Sequence, residues 1–398
     1  MALNDFQEKY DNSYQEIFQK TLVSKPIANS RFMSDLTFGE SLERFAFDID
    51  AVKVRSVTRG AASTIDTVTD STELIQVNIE EEATFHLSDG EMTQAGPLSP
   101  GEVIGGKVAK KVAISLDGKF FDEVTNADYT FDNGDLTTLT STGTGITLSN
   151  TTVPQMVARM SAKLKYRNQV DSSNMALVVD SYAASDIEEY LMSKNIDIAA
   201  ATFKNGYAGP VKGAKMYVSE NLKSTATLTF TDVNVATKTV TINGVVFLSK
   251  ATPAVAGDVD VHASTEEGAA TNYAAAINNS ENLDASEVGT LYCELSTADR
   301  AVLDNARVVA TVDGAAINIT ASGRLIVAED ETNASWSTPI LHAYFGKHGA
   351  IDMVTQDVSP VDVRKTADRR GSNIFSSYLA GIKSFADGTK QFLDVHIV

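Results

Sequence analysis

The sequence predicts an α+β protein with helices and strands closely interleaved. Three observations carry that expectation. A four-residue apolar repeat runs through Ile104, Val108, Val112, Leu116, Phe120 and Val124, the period of a long amphipathic helix. Short alternating runs such as Leu74–Ile79 and Ala226–Phe230 have the period of strands. Between helical patterns, Met175–Val179 is a short continuous apolar run of the kind a buried strand shows.

Taken in order, the first element is a helix. Phe6, Tyr10, Tyr14, Phe18 and Leu22 recur every four residues among Asp, Glu, Gln and Lys, so one face carries an aromatic stripe. Such a helix either packs on its own core or lies as an arm on a neighbouring subunit. Lys25-Pro26 ends it, because the residue before proline disfavours the α region. Ala51–Val57 then alternates as a half-exposed strand, and a Gly/Ser/Thr/Asp-rich stretch from Gly60 to Thr72 leads to the second run, Leu74–Ile79. Two strands around a long polar tip make an extended hairpin, which cannot bury a core by itself.

Ser99-Pro100-Gly101-Glu102 has a capping-box pattern with proline at the first helical position, and the helix behind it extends to about Asn126. Lys107, Lys110 and Lys111 fall on or beside its polar face and read as solvated. A second helix is expected over Val153–Arg167, with Met156, Val157, Met160 and Leu164 on one face. Ser185-Asp186-Ile187-Glu188 has the pattern of another cap, opening a short helix through Met192.

Composition changes at about Ser224. From there to Ser335 five basic residues face fifteen acidic ones, so more than half of the chain's net charge of −19 sits in little more than a quarter of its 398 residues. Strands are expected at Ala226–Phe230, Thr239–Ile242 and Val245–Leu248, the last two joined by an Asn243-Gly244 hairpin turn. A helix around Ala269–Asn278 and strands at Val308–Val312 and Ala316–Thr320 follow. This segment, with its own turns and core residues, reads as a compact inserted domain. The chain closes in short strands at Ala350–Val354 and Phe392–Val398.

Charge and motifs exclude several function classes. An acidic chain is not drawn as a whole to phosphate backbones, whose binding depends on Lys and Arg displacing counterions. No apolar run approaches a membrane span, and MALNDFQEKY lacks the basic-then-apolar pattern of a secretory leader, so a soluble protein of a reducing cytosol is expected. Cys293 is the single cysteine, which excludes an internal disulfide and a cysteine-based zinc site. His342 and His348 are six residues apart, not the i, i+4 spacing of a helical metal pair. Glu80-Glu81-Glu82 reads as a solvated charge run beside a strand, and Thr142-Gly143-Thr144-Gly145 lacks the third glycine and βαβ setting of a dinucleotide loop. No GxSxG, P-loop or HExxH occurs. No catalytic residue, cofactor or metal ligand is expected, and a structural role is favoured over an enzyme.

The order of elements resembles the major capsid proteins of tailed phages, with the HK97-type fold. Local stretches carry the likeness. Leu74–Val77 and the stretch from Phe85 to Gln94 (FHLSDGEMTQ), just before the long helix, are similar to that family's strand and D-x-x-x-Q lead-in. The stretch from Asn205 to Leu222 (NGYAGPVKGAKMYVSENL) resembles its glycine-spaced run ending in V-y-x-S-x-n-L. Phe345–Ile351 (FGKHGAI) and Tyr378–Lys383 (YLAGIK) look like its closing strands.

The resemblance implies an N-terminal arm over 1–44, an E-loop over 45–87, and a P domain over 88–169 whose spine helix runs about 99–126. An A domain over 170–223 would follow, then the insertion domain over 224–335 and a return over 336–398 through the A domain to closing P-domain strands. Phe6, Tyr10, Tyr14 and Phe18 of the arm, with Lys53, Arg55 and Arg59 of the loop, are then the candidate inter-subunit contacts. The type member cross-links Lys to Asn between subunits; Lys53 lies on the loop, but no matching Asn or Glu is identified and that chemistry is not carried over.

The implied function is a shell of pentamers and hexamers enclosing double-stranded DNA without sequence-specific binding. A scaffolding protein, a portal and decoration proteins are the implied partners, and the virion, assembled in the host bacterial cytoplasm, is the implied location. An encapsulin-like compartment loaded with protein is the alternative within the same fold, and a tail or surface adhesin the alternative outside it.

Overall fold

The computed structural model describes residues 22–32, 36, 40–48, 52–56, 59, 65–88, 100–168, 170, 173–194, 210–211, 214–231, 238–250, 253–260, 265–280, 292–329, 334–356, 362–365 and 370–398. The chain divides into two units, Met1–Glu123 with His348–Lys390, and Val124–Lys347 with Gln391–Val398.

The first unit opens with β1 (Ser41–Asp48), β2 (Thr69–Gln76), β3 (Ile79–Leu87) and α1 (Pro100–Asp122). The second unit supplies β4 (Tyr129–Phe131), α2 (Thr152–Asn168), β5 (Met175–Val179), α3 (Ser181–Lys194), β6 (Pro210–Val211), β7 (Ala214–Val218) and β8 (Lys223–Phe230). It continues with β9 (Thr239–Ile242), β10 (Val245–Lys250), β11 (Asp258–Asp260), α4 (Glu266–Asn278), α5 (Thr297–Asn305) and β12 (Val309–Asp313). β13 (Ala316–Ser322), β14 (Val327–Glu329), β15 (Ala334–Trp336) and β16 (Ile340–Lys347) complete that run. The chain returns to the first unit for β17 (Asp352–Gln356), β18 (Asp362–Lys365), β19 (Ser372–Lys383) and α6 (Ala386–Thr389), and β20 (Phe392–Ile397) ends in the second. The fold is α+β.

In the first unit, β3 zips antiparallel along β19, from Leu87 opposite Ser372 to Ile79 opposite Ala380. β17 and β18 also pair with β19, making a four-stranded sheet on which α1 packs. The four-residue repeat sets the helix face: Val112, Leu116 and Phe120 are buried, joined by Ala109, Ala113 and Phe121. The α-helix stops at Asp122, and Glu123–Asn126 tightens into a 3₁₀ turn, as helix ends commonly do. Its N-terminal cap at Ser99 lies outside the described residues. On the buried side, Asp117 accepts the backbone N–H groups of Val23 and Ser24 at 2.9 and 3.0 Å, which ties the preceding chain to the helix. Burial pushes the Asp117 carboxyl above the usual carboxylate range.

The second unit is built on a ten-stranded sheet whose main path runs β12-β13-β8-β16-β5-β7-β6. β5, the continuous apolar run, is buried at all five positions, parallel to β7 and antiparallel to β16. α2 buries Val153, Met156, Met160 and Leu164. α3 begins at Ser181, four residues before the cap expected at Ser185, because Asp180 accepts the N–H of Ala183 at 2.9 Å and heads the helix itself. Ser185 therefore lies inside the helix.

Within residues 223–336 lies a separate four-stranded sheet, β11-β10-β9-β14. One hydrophobic cluster is drawn wholly from Ala226 to Ala334, with Phe230, Phe247, Tyr273, Ile277 and Ile317 among its buried members. Its first strand also joins the large sheet, since Thr225 and Ser224 of β8 stand opposite Ile340 and Leu341 of β16. Asn243 and Gly244 both take positive φ, 50° and 84°, as a two-residue hairpin turn between β9 and β10 requires. α5 was not expected from the sequence; it is short, and Ser296 caps it by accepting the N–H of Asp299. Among the described residues, no helix is long and apolar enough to cross a membrane.

Candidate assembly surfaces

The hairpin of β1 and β2 is held at its base. The strands pair antiparallel from Ser41 opposite Gln76 to Asp48 opposite Thr69. Ile75 and Val77 are buried with Leu36, Val354 and Phe385, and Phe32, Leu42 and Leu379 surround that cluster. Arg44 forks onto Asp387 at 3.0 and 2.5 Å and lies 5.1 Å over the Phe385 ring. Burial alone would raise the Asp387 carboxyl, but Arg44 outweighs it and holds it below the usual range. Glu73 accepts the N–H of Ala386, the first residue of α6.

The far end is different. Residues 52–56 and 65–68 are irregular, and Val52, Val54, Ile65 and Val68 are exposed, Val54 fully and Ile65 at 88%. Asp66 organises this end: it accepts the Lys53 N–H at 2.9 Å and both guanidinium nitrogens of Arg55 at 2.7 Å. The Arg55 guanidinium, helped by the Lys53 N–H, holds the Asp66 carboxyl below its usual range. The strand expected over Ala51–Val57 is therefore absent from 52–56. Its alternation marks a half-buried strand only where another layer covers the apolar side. Here the strand pairing goes to Ser41–Asp48 instead, and among the described residues no other layer covers the exposed apolar side chains.

Isolated exposed apolar residues are ordinary on protein surfaces. Four within one short hairpin end are not, because among the described residues nothing covers them, and such a cluster is a candidate contact surface. Lys53, Arg55 and Arg59 are all exposed at this end, so apolar and basic groups are presented together. The sequence reading missed Asp66, Val54 and Ile65. The available signal was a lone acidic residue eleven positions beyond Arg55 in a polar stretch. Phe6, Tyr10, Tyr14 and Phe18 lie outside the described residues.

The remaining candidate chemistry resolves into structural contacts. Glu81 of β3 accepts the hydroxyls of Ser115 and of Tyr378, the latter at 2.9 Å, and has Lys119 at 3.9 Å, while Glu80 and Glu82 are exposed. Lys107, Lys110 and Lys111 are exposed along α1. His348 Nδ1 is 2.8 Å from the carbonyl of Pro26, and His342 is bonded within the sheet of the second unit. Burial pushes the Cys293 thiol up, away from the thiolate form that reacts.

No protein-family model matches the chain, and no curated protein does. Among solved structures, it is similar to a chain of Mycobacterium phage Che8, at 12% identity over 94% of this chain and 90% of that one, with a TM-score of 0.49. It is similar to a chain in the capsid structure of the Cyanophage P-SCSP1u, at 7% identity over 95% and 88%, with a TM-score of 0.47. A virus-like particle from Pyrococcus furiosus aligns at 8% identity over 97% of both chains, with a TM-score of 0.40. At such identities, and with TM-scores below 0.5, the functional reading rests on the chain's own geometry.

Proposed function

We propose that this chain is a shell-forming structural subunit of the kind found in tailed-phage capsids, built on the HK97-type arrangement. One observation carries the reading: a hairpin fixed at its base by Arg44, Glu73 and a small core ends in a clasped tip whose apolar side chains no other described residue covers. A lone subunit gains nothing from that design. Copies packed side by side bury the tip on a neighbour, and repeated head-to-tail contacts of this kind close into rings.

In this reading residues 45–87 are the E-loop. α1, with β17, β18 and β19, belongs to the P domain, and β5 and α3 belong with the sheet of the A domain. Residues 224–335 are an insertion. The assembled form is a closed shell of pentamers and hexamers around double-stranded DNA, formed with a scaffolding protein and a portal in a bacterial cytoplasm and ending in the virion. An acidic chain suits a container that repels rather than holds packaged duplex. Its role is structural rather than enzymatic.

Negative-stain electron microscopy of the purified chain, with its mass in solution, tests the reading. Closed shells or rings of five and six are expected. Stable trimers or fibres overturn it in favour of an adhesin, and shells that purify filled with a protein cargo favour an encapsulin-like compartment.

A further inference from the structure

His342, Asp394 and His396 stand on one face of the β16–β20 pair. His342 and His396 are direct cross-strand partners, and Asp394 precedes His396 by two residues, so the strand period of two sends all three side chains to the same side. Asp394 Oδ2 is their meeting point, 2.8 Å from His342 Nδ1 and 3.1 Å from His396 Nε2. The three donor atoms lie within 4.8 Å of one another, and the imidazole rings meet edge to face at 5.0 Å. Among the described residues, no other group of His, Cys, Asp or Glu donors gathers in this way.

Hydrogen bonding leaves this cluster incomplete. Asp394 has a side chain only 4% exposed, yet its Oδ1 has no hydrogen-bond partner, and neither does His396 Nδ1. A buried carboxylate oxygen without a donor is costly unless something positive stands beside it. A cation held by the three side chains supplies that charge and can take Oδ1 as a second oxygen ligand.

The donor set selects the ion. Two imidazoles and one carboxylate suit a borderline divalent metal such as Zn²⁺ and are a poor match to Mg²⁺ or Ca²⁺, which prefer oxygen alone. Ligation through His342 Nδ1 places that ring's proton on Nε2, where Thr225 Oγ1 lies 2.9 Å away and can accept it. Metal-bound histidines usually have such an outer partner. Zinc–ligand bonds of ~2.1 Å in a tetrahedral site separate the donors by about 3.4 Å. Binding would therefore move the two nitrogens about 0.6 and 0.3 Å further from Oδ2 and bring them toward each other from a separation of up to 4.8 Å, a rearrangement that rotation of the two imidazoles supplies.

We propose that His342, Asp394 and His396 form a binding site for a borderline divalent transition-metal cation, Zn²⁺ being the fitting one, which staples the last strand β20 to β16. The site does not depend on the shell reading. The helical i, i+4 rule could not show it, because its residues meet across two strands and 52 positions of sequence.

The test uses the full chain stripped of metal with EDTA and titrated with ZnCl₂ against a chromophoric chelator. His396→Gln and Asp394→Asn are run beside it, with His348→Gln as a control. Wild type and the control are expected to take one tightly held Zn²⁺ per chain, and the two site variants to bind it about ten-fold or more weakly. Zinc K-edge absorption of the loaded wild type, which needs no variant to fold, should show two imidazoles with oxygen donors. Zinc should also raise the melting temperature of wild type and not of His396→Gln. Binding by wild type no tighter than by the site variants, or an absorption spectrum without imidazole, overturns the proposal.

Discussion

Arg55 and Asp66 face each other as a two-pronged ion pair, both guanidinium nitrogens 2.7 Å from the carboxylate. The pair clasps the two sides of the hairpin's far end, where no ladder hydrogen bonds are formed over 52–56 or 65–68. An exposed pair is screened by solvent and adds little to global stability. Its consequence is local order. Asp66→Asn should therefore leave the melting temperature unchanged while trypsin cleaves after Arg55 several-fold faster, measured by timed digestion and mass spectrometry.

The second unit holds a buried ion pair that should behave in the opposite way. Lys163 Nζ stands 2.6 Å from Asp135 Oδ2 and donates to the Thr130 carbonyl at 2.5 Å, with both side chains buried. Removing one partner leaves the other's charge uncompensated away from water. Lys163→Met is expected to destabilise the fold by about 3–5 kcal/mol, read from urea unfolding.

Asp132 gives the fold an acid limit. Its carboxylate accepts the N–H groups of Gly134, Thr142 and Gly143 and the Ser141 hydroxyl, closing the 132–143 loop. Burial pushes its carboxyl up, but the Ser141, Gly143, Thr142 and Gly134 donors outweigh that and hold it below the usual range. The folded chain thus binds this proton less readily than the unfolded chain. The stabilisation is fully present above the ordinary Asp value of about 3.9 and fades as pH falls from there through the lowered folded value. Asp132→Asn should cost about 1–3 kcal/mol at neutral pH. It should also flatten the stability profile below about pH 4, measured by urea unfolding at several pH values.

Much of this architecture was legible in the sequence, for physical reasons that also mark where it stopped. The α1 repeat and the β5 run were readable because a helix or strand buried on a packed layer must carry its apolar residues at the element's own period. Asn243-Gly244 was readable because the turn demands positive φ from both residues. α3 was placed four residues late because Asp180, a better head for the helix than Ser185, sits directly after an apolar strand and looks like its end. The Ala51–Val57 alternation misled because periodicity reports an apolar face without saying what covers it. The clasp between Arg55 and Asp66, and the meeting of His342 with Asp394 and His396, depend on which strands lie side by side, and local spacing carries no record of that.

In the proposed shell, the exposed hairpin end is a contact between copies. Charging its apolar side chains tests it most directly, because Val54 and Ile65 touch no core that a substitution could damage. Sedimentation velocity and negative-stain microscopy should compare wild type with a Val54→Asp/Ile65→Asp double variant at matched concentration. Wild type is expected to form shells or rings, and the variant to remain a folded subunit with unchanged circular dichroism that fails to form them. Shells formed by the variant as readily as by wild type would contradict the proposed contact.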